Sequence, residues 1–551
     1  MTRPHPWEQH YPPDIDWGAP IPQTTLPALL DHAIEQFAPH SAIEFRGRRL
    51  TYAELGRRVD RLARGLAALG IGRGDAVALL LPNTPVHPIS FFAIARLGAR
   101  VVHITPLDPA RSVIRKLADS GADTLITTDL PGILPQAVQA WQDGACHRFI
   151  VADDRQWGEP SPALGVPDGA IDWAMIDGPP LAWPAIGPDD LALLQYTGGT
   201  TGQPRAAMLT GGNLTSAVAI YQRWNADGDR AIGPGDRIMC VLPLFHIYAL
   251  TAVMLRCFDT GAELMIRLRF DPDTALADIE TGRCTYFPGV PTMWIALVNH
   301  PRIGNADLSS LRFCASGGAA LPADVGARFV ELTKIQLGGG WGMTETSPAG
   351  TNLLADREHG PGEIGVPLPG IEMDVVATDD PRRVLPAGET GELRIRGPNV
   401  TAGYWQRPDE NTTAFADGWF LTGDIGWMSE DGVFTIVDRK KDMIISGGFN
   451  VYPRTIEDAI HEHPDIREAA VIGIPDSYRG QAAKAYVVLR DGAADLSIET
   501  LRAFLADKLG RHELPTALEI RPELPHTPVG KLAKRELLAE LEHFPSRLAR
   551  E

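Results

Sequence analysis

The chain has 551 residues, 44% hydrophobic and 22% charged, too long for one ordinary core and too apolar for disorder, so a large multi-lobed unit plus a smaller domain is expected. Acidic residues outnumber basic ones, 69 to 51, giving a formal charge of −18; this argues against nucleic-acid binding and requires any anion site to be locally basic. The N-terminal "MTRPHPWEQHYPPDIDWG" lacks the basic-then-apolar order of a signal peptide, and the apolar run from Tyr248 to Leu255 stops at Arg256, too short for a bilayer. A cytoplasmic chain without a transmembrane anchor is therefore expected.

In chain order, Leu26, Leu29, Leu30, Ala33, Ile34 and Phe37 keep the spacing of an amphipathic helix, and "AIEFRGRRLTY" then alternates as a short hairpin. Thr51 and Glu54 read as a capping box opening a helix with the buried stripe Leu55, Val59, Leu62, Leu66 and Leu69, ended by Gly70. The order "AVALLLP", helical "ISFFAIARLG", "RVVHITP" predicts parallel sheet covered by helices, and the pattern returns around "RIMCVLPLF" and "CTYFPGV". The five cysteines, Cys146, Cys240, Cys257, Cys284 and Cys314, have no metal or disulfide spacing and are expected to be buried free thiols.

Beyond about residue 365, "GIEMDVVA", "GELRIRG" and "GVFTIVD" alternate in short segments broken by Gly, Pro and Asp, which predicts a small antiparallel β subdomain. The charged "DRKKDMIISGGFN" places a linker at 438–441. After it come a helix over 454–463, strands "EAAVIGIP" and "AKAYVVLR", a helix over 498–509, a strand "ALEIRP" and a last helix from Leu532, a compact α+β module.

The stretch "YTGGTTGQPR", residues 196–205, follows the strand-like "LALLQY". Asn213 is placed as the cap of a helix starting at Leu214, so the loop is expected where a strand hands over to a helix. Backbone N–H groups in such a turn make a concave anion site; the hydroxyls of Thr197, Thr200 and Thr201 add donors, and Arg205 adds charge. Taken alone, the run reads equally well as a surface turn, and the Gly-Lys-Ser/Thr ending of a P-loop is missing.

Four further stretches accompany the loop in order: "LPLFHIYAL", "GGGWGMTETSP", "GWFLTGDIG" with "DRKKDMIISGGFNVYPRTIE", and "LPHTPVGKLAKREL". Together the five resemble the signature of the acyl-adenylate-forming superfamily over nearly the full length, and the wording looks most like fatty acyl-CoA synthetases. The resemblance implies an α/β fold: a large N-terminal ATP- and acyl-binding domain, residues 1–438, of layered sheets with the antiparallel β subdomain, then a mobile α+β C-terminal domain, residues 439–551. It implies ATP, Mg²⁺ and CoA as co-substrates and an acyl adenylate as intermediate. One departure stands out: the loop ends Pro204-Arg205-Ala206, where the superfamily usually has Pro-Lys-Gly, so a planar fork replaces a point ammonium.

By the same resemblance, Thr197, Gly198, Gly199, Thr200, Thr201, Gly202 and Arg205 grip the leaving pyrophosphate. Trp341, with Gly342 and Met343, faces adenine, Thr344 donates to the α-phosphate and Glu345 is the magnesium carboxylate. Gly317 and Gly318 let the backbone approach the adenine and acyl group. Asp424 holds the ribose hydroxyls with Arg439 and neighbouring Ile436, and His246 lies beside the substrate carboxylate. Lys531 is the catalytic charge, Lys441 the hinge, and Gly447 and Gly448 line the pantetheine tunnel. The expected reaction is ligation of a medium- or long-chain fatty acid to CoA. An aryl, alicyclic or dicarboxylic acid shares every motif, a luciferase-like enzyme would divert the adenylate, and a nucleotide-binding scaffold would not turn over. The resemblance is compatible with a homodimer and with peripheral contact to a membrane through a greasy substrate.

Overall fold

The computed structural model describes residues 5–158, 162–197, 205–226, 228–319, 321–354, 357–360, 362–446, 449–476, 479–493, 496–526 and 532–543. The chain divides into two compact units. The larger spans Met1–Glu358, Ile364–Glu372 and Ile395–Phe420; the smaller spans His359–Glu363, Met373–Arg394 and Leu421–Glu551.

Among the described residues, two seven-stranded sheets form the body of the larger unit. One runs Ile171–Asp172, Arg148–Ala152, Thr124–Thr128, Ala76–Leu80, Arg100–His103, Leu191–Thr197, Arg205–Thr210. The other runs Leu337–Gly339, Phe313–Ser316, Tyr286–Gly289, Arg237–Cys240, Glu263–Ile266, Ser41–Phe45, Arg48–Thr51. Pairing is parallel in both except at the last pair of each, an antiparallel edge. "AVALL" is buried at every residue, as a strand covered on both faces must be.

One core serves both sheets: Val77, Leu79 and Val101 of the first share a cluster with Ile43, Ile238 and Leu264 of the second. The helices Leu26–Phe37, Tyr52–Ala68 and Val86–Arg96 contribute to it. Every residue of Val86–Arg96 is buried, which suits an inner layer. Separate clusters cover the outer faces, under Val113, Leu117 and Ala137 on the first sheet and Leu276, Trp294 and Phe329 on the second. The expected capping box is present: Thr51 Oγ1 accepts from the Glu54 N–H at 3.2 Å, and Glu54 accepts from the Thr51 N–H at 2.8 Å.

The glycine-threonine loop requires a correction. It joins two antiparallel strands, with Thr197 opposite Arg205, and is not a strand-to-helix handover. In "RAAMLT" Ala206, Ala207 and Leu209 are buried, and this apolar content makes a second strand. The helix starts only at Gly211, N-capped by Thr210, while Asn213 returns the hydrogen bond as the third helical residue.

In the smaller unit the strand segments 434–439, 421–428, 391–394 and 373–376 lie in that spatial order. A second sheet centres on the antiparallel pair Ile466–Asp476 and Gly480–Leu489. Val471 and Ala469 face a cluster with the helices Pro453–His461 and Ile498–Leu505, while Ala470 and Ile472 face Leu537 of the helix Lys534–His543, the two-residue alternation of a sheet covered on both sides. These helices start or end within a few residues of expectation; Pro at the first turn and Ser497 as N-cap set two of the starts. Residues 438–441 begin inside the strand Phe434–Arg439 and end in a turn closed by the Asp442 N–H on the Arg439 carbonyl at 3.0 Å. All five cysteines are buried and free. Among the described residues no helix is long and apolar enough to cross a membrane.

Candidate functional site

In the larger unit His246, Gly317 and Trp341 lie beyond the carboxyl ends of parallel strands, where open α/β sheets hold ligands. His246 follows the strand Arg237–Cys240, Gly317 follows Phe313–Ser316, and Trp341 follows Leu337–Gly339. The turn carrying His246 is clamped by buried Asn83: its Nδ2 donates to the Leu242 carbonyl at 2.8 Å and its Oδ1 accepts from the Leu244 N–H at 2.8 Å. His246 Nδ1 accepts from the Tyr248 N–H at 3.2 Å, so a neutral imidazole carries its proton on Nε2. A π-helix, Tyr248–Leu255, continues from this turn. Gly317 faces Tyr248 so closely that a Cβ would sit 2.8 Å from the ring, and Gly318 has φ +81°; both positions call for glycine.

The segment from Gly340 to Gly350 folds back on itself. A Cβ on Gly342 would lie 1.4 Å from the Pro348 carbonyl oxygen, so the turn carrying Met343, Thr344 and Glu345 closes only on glycine. Thr344–Thr346 forms a single 3-10 turn, and Glu345 is 5% exposed. The Glu345 carbonyl accepts from the Thr401 N–H at 2.7 Å, and Thr401 Oγ1 donates to the Met208 carbonyl at 2.6 Å. The stretch 401–405 thereby ties Glu345 to the strand Arg205–Thr210, which it also meets through the Ala207–Tyr404 bridge.

This arrangement makes a charged cluster. Tyr404 Oη donates to Glu345 Oε1 at 2.7 Å, the Arg205 guanidinium lies 4.7 Å from the centre of the Tyr404 ring, and Arg205 Nη1 pairs with Glu410 Oε2 at 2.8 Å. Burial raises the Tyr404 hydroxyl well above its ordinary range and the Glu345 charge adds to this, so the phenol stays a donor. For Arg205 burial works downward, but the hydrogen bond with Glu410 and the charges of Glu410 and Glu345 outweigh it and raise the guanidinium. The sequence reading missed Tyr404, Glu410 and Asn83. "GYWQRPDE" carries no pattern that would connect it to a carboxylate 59 positions earlier.

Thr197 Oγ1 donates to the Arg205 carbonyl at 3.4 Å; Gly198, Gly199, Thr200, Thr201 and Gly202 lie outside the described residues, as do Gly447, Gly448 and Lys531. In the smaller unit Asp424, 1% exposed, pairs with Arg439 Nε at 2.5 Å across adjacent antiparallel strands. Ile436 sits opposite Gly426 on the same strand pair, and its N–H donates to the Gly362 carbonyl at 2.9 Å. Lys441 is exposed in the turn that follows.

The cluster suits a divalent ion that arrives with phosphates. Glu345 and Glu410 bring two carboxylates against one guanidinium, and no group of three or more acidic, His or Cys side chains among the described residues could cage a metal unaided. Mg²⁺ is ordinarily bound by one or two carboxylates together with substrate phosphates.

Two stacked, mainly parallel sheets with these turns beyond their strand ends make an α/β fold with a candidate ligand site at the carboxyl ends of its strands. Residues 30–405 match the AMP-binding enzyme family and residues 455–531 the AMP-binding enzyme C-terminal domain; the chain belongs to this family. A long-chain-fatty-acid–CoA ligase of Bacillus subtilis is 36% identical over 559 aligned positions, 98% of this chain and 99% of that protein. A feruloyl-CoA synthase of Amycolatopsis is 38% identical over 91% of this chain and 96% of its own. The crystal structure of ATP-bound MatB from Rhodopseudomonas palustris superposes with a TM-score of 0.83 at 28% identity, covering 94% of this chain and 99% of that one. Within the family the chain is an AMP-forming acyl-CoA synthetase, a class that uses ATP, Mg²⁺ and CoA.

Proposed function

We propose that the enzyme ligates a medium- or long-chain fatty acid to CoA. An oxygen of the acid attacks the α-phosphorus of ATP and the bond to pyrophosphate breaks; the CoA thiol, losing its proton, then attacks the acyl carbon and the bond to AMP breaks. The observation that carries the fatty-acid reading is the match to the Bacillus subtilis ligase over 98% of this chain, supported by the largely apolar sequence "FHIYAL" that includes His246. The feruloyl-CoA synthase match favours a second reading, an aryl acid.

In this reading His246 donates from Nε2 to the incoming carboxylate, and Arg205 with the 197–202 loop holds the pyrophosphate. Thr344 donates to the α-phosphate, Trp341 faces adenine with Gly342 and Met343, and Asp424 with Arg439 holds the ribose. Glu345, oriented by Tyr404, would hold Mg²⁺, which when bound offsets charge on the phosphates. Lys531 stabilises the negative charge that builds on the α-phosphate, and residues 439–551 turn about Lys441 between half-reactions, bringing Gly447 and Gly448 to the pantetheine arm. The cytoplasm suits such a chain, with membrane contact, if any, made through the substrate.

The test is AMP release with CoA across octanoic to stearic acids and ferulic, benzoic, alicyclic and dicarboxylic acids. The highest kcat/KM is expected on a fatty acid. An aryl acid preferred by about tenfold, some 1.4 kcal/mol, replaces the first reading with the second, and no AMP release with any acid removes both.

A further inference from the structure

The peptide that precedes His246 is held at both ends. Its N–H, from His246, donates to the Pro243 carbonyl at 2.9 Å, and its carbonyl, from Phe245, accepts from Gln195 Nε2 at 2.9 Å. Gln195 lies in the strand that leads into the glycine-threonine loop, in register with His103 of the neighbouring parallel strand. Gln195 Oε1 lies 2.9 Å from His103 Nδ1, and His103 Nε2 lies 3.1 Å from His87 Nε2. His87, His103 and Gln195 are 0%, 1% and 5% exposed.

With both rings neutral, only one placement of protons satisfies every contact. A carbonyl oxygen cannot donate to another, so the Gln195 amide nitrogen faces Phe245 and its oxygen faces His103. His103 must then donate from Nδ1. A neutral His103 leaves Nε2 as acceptor, so His87 donates from Nε2. The remaining nitrogen, His87 Nδ1, becomes a bare acceptor and has no hydrogen-bond partner among the described residues. Burial, with a smaller push from His103, holds His87 well below the usual imidazole range. Burial likewise takes His103 down to about 4 against the hydrogen bond of Gln195, with His246 adding to the fall. Both rings are therefore neutral near pH 7, as a one-way chain of donors requires.

We propose that Gln195, its amide locked in one orientation by the buried pair His103 and His87, is the positioning residue that sets the Phe245–His246 peptide and so aims the His246 imidazole at the substrate carboxylate. The second half of this statement rests on the role given to His246 above. The two histidines act only through Gln195; they fix which of its two ends faces the turn.

Isosteres separate this role from core packing. In His103→Asn the amide nitrogen takes the place of Nδ1 and still donates to Gln195; in His103→Gln the amide sits near Nε2 and cannot. Gln195→Glu keeps the acceptor for His103 and loses the donor to Phe245. Expected are a loss of about tenfold or more in kcat/KM for the acid in His103→Gln and Gln195→Glu, near the worth of one hydrogen bond, KM for ATP unmoved, and His103→Asn within about threefold of wild type. In a His246→Ala background the losses should largely vanish. Equal losses in the Asn and Gln variants, or losses that simply add to that of His246→Ala, would overturn the proposal. Imidazole ¹⁵N spectra of the histidine-labelled wild type test the chain without relying on activity or on the variants folding. Protons on His103 Nδ1 and His87 Nε2 are expected between pH about 5.5 and 8, and the reversed tautomers would refute the chain. If no acid is ligated, the functional reading falls while this spectrum still decides the hydrogen-bond chain.

Discussion

Tyr404→Phe removes one oxygen and keeps the ring. Tyr404 is 4% exposed and its hydroxyl donates to Glu345 at 2.7 Å, while Arg205 lies over the ring face at 4.7 Å. The cation–π contact survives the substitution, so the change isolates the hydrogen bond. A bond to an ionised acceptor is worth about 1.5–3 kcal/mol, and a carboxylate only 5% exposed has little water to replace the lost donor. If Glu345 needs that donor to stay aimed at the metal–nucleotide, acid-dependent pyrophosphate release should fall by about 10- to 150-fold, with a higher Mg²⁺ requirement. Thioester formation from supplied acyl adenylate, which needs no triphosphate, should stay within about twofold. An equal fall in both half-reactions, or none in the first, would refute the reasoning.

Three other outcomes are expected. Lys531→Ala should lower adenylation by at least about 10²- to 10³-fold, the usual effect of one charge-stabilising donor, and largely spare thioester formation from acyl adenylate; equal losses would refute a role confined to the first step. Arg205→Lys keeps the charge but gives up the fork that pairs with Glu410 at 2.8 Å and lies over Tyr404, and should raise KM for ATP by about three- to tenfold with little change in KM for the acid; unchanged kinetics would mean that the guanidinium geometry is immaterial. Burial pushes Glu457 up to about 7 against the opposing charge of Lys534, so the native state holds a proton that the unfolded chain, with a pKa near 4.5, releases first. Its contribution to stability is fully present below about 4.5 and is lost as pH rises through about 7. The protection factor of the Val471 amide, which donates to Glu457 at 2.6 Å, should fall over that window once the intrinsic pH dependence of exchange is divided out, and Glu457→Gln should flatten the trend.

The sheets and their helical cover were legible because their signals are local. "AVALL" is continuous apolar sequence, Thr51 and Glu54 lie three positions apart, and "EAAVIGIP" alternates between two clusters. "RAAMLT" was not read as a strand because its partner, "LALLQYT", lies across a loop, and pairing across a gap leaves no periodicity in either segment alone. The motifs pointed to Glu345 and Arg205 separately, whereas the Tyr404 contact joining them arises from the course of residues 401–405 along the strand Arg205–Thr210. Likewise the chain from His87 to Phe245 draws on four separate segments, each carrying at most one polar side chain that looks like ordinary core sequence.

The central claim is that the acid's own oxygen attacks the α-phosphorus. Ligation with an acid labelled with ¹⁸O in its carboxylate, followed by mass analysis of the products, tests this directly. The account predicts one ¹⁸O in the AMP and none in the pyrophosphate. Label absent from AMP, or found in pyrophosphate or inorganic phosphate, would contradict it.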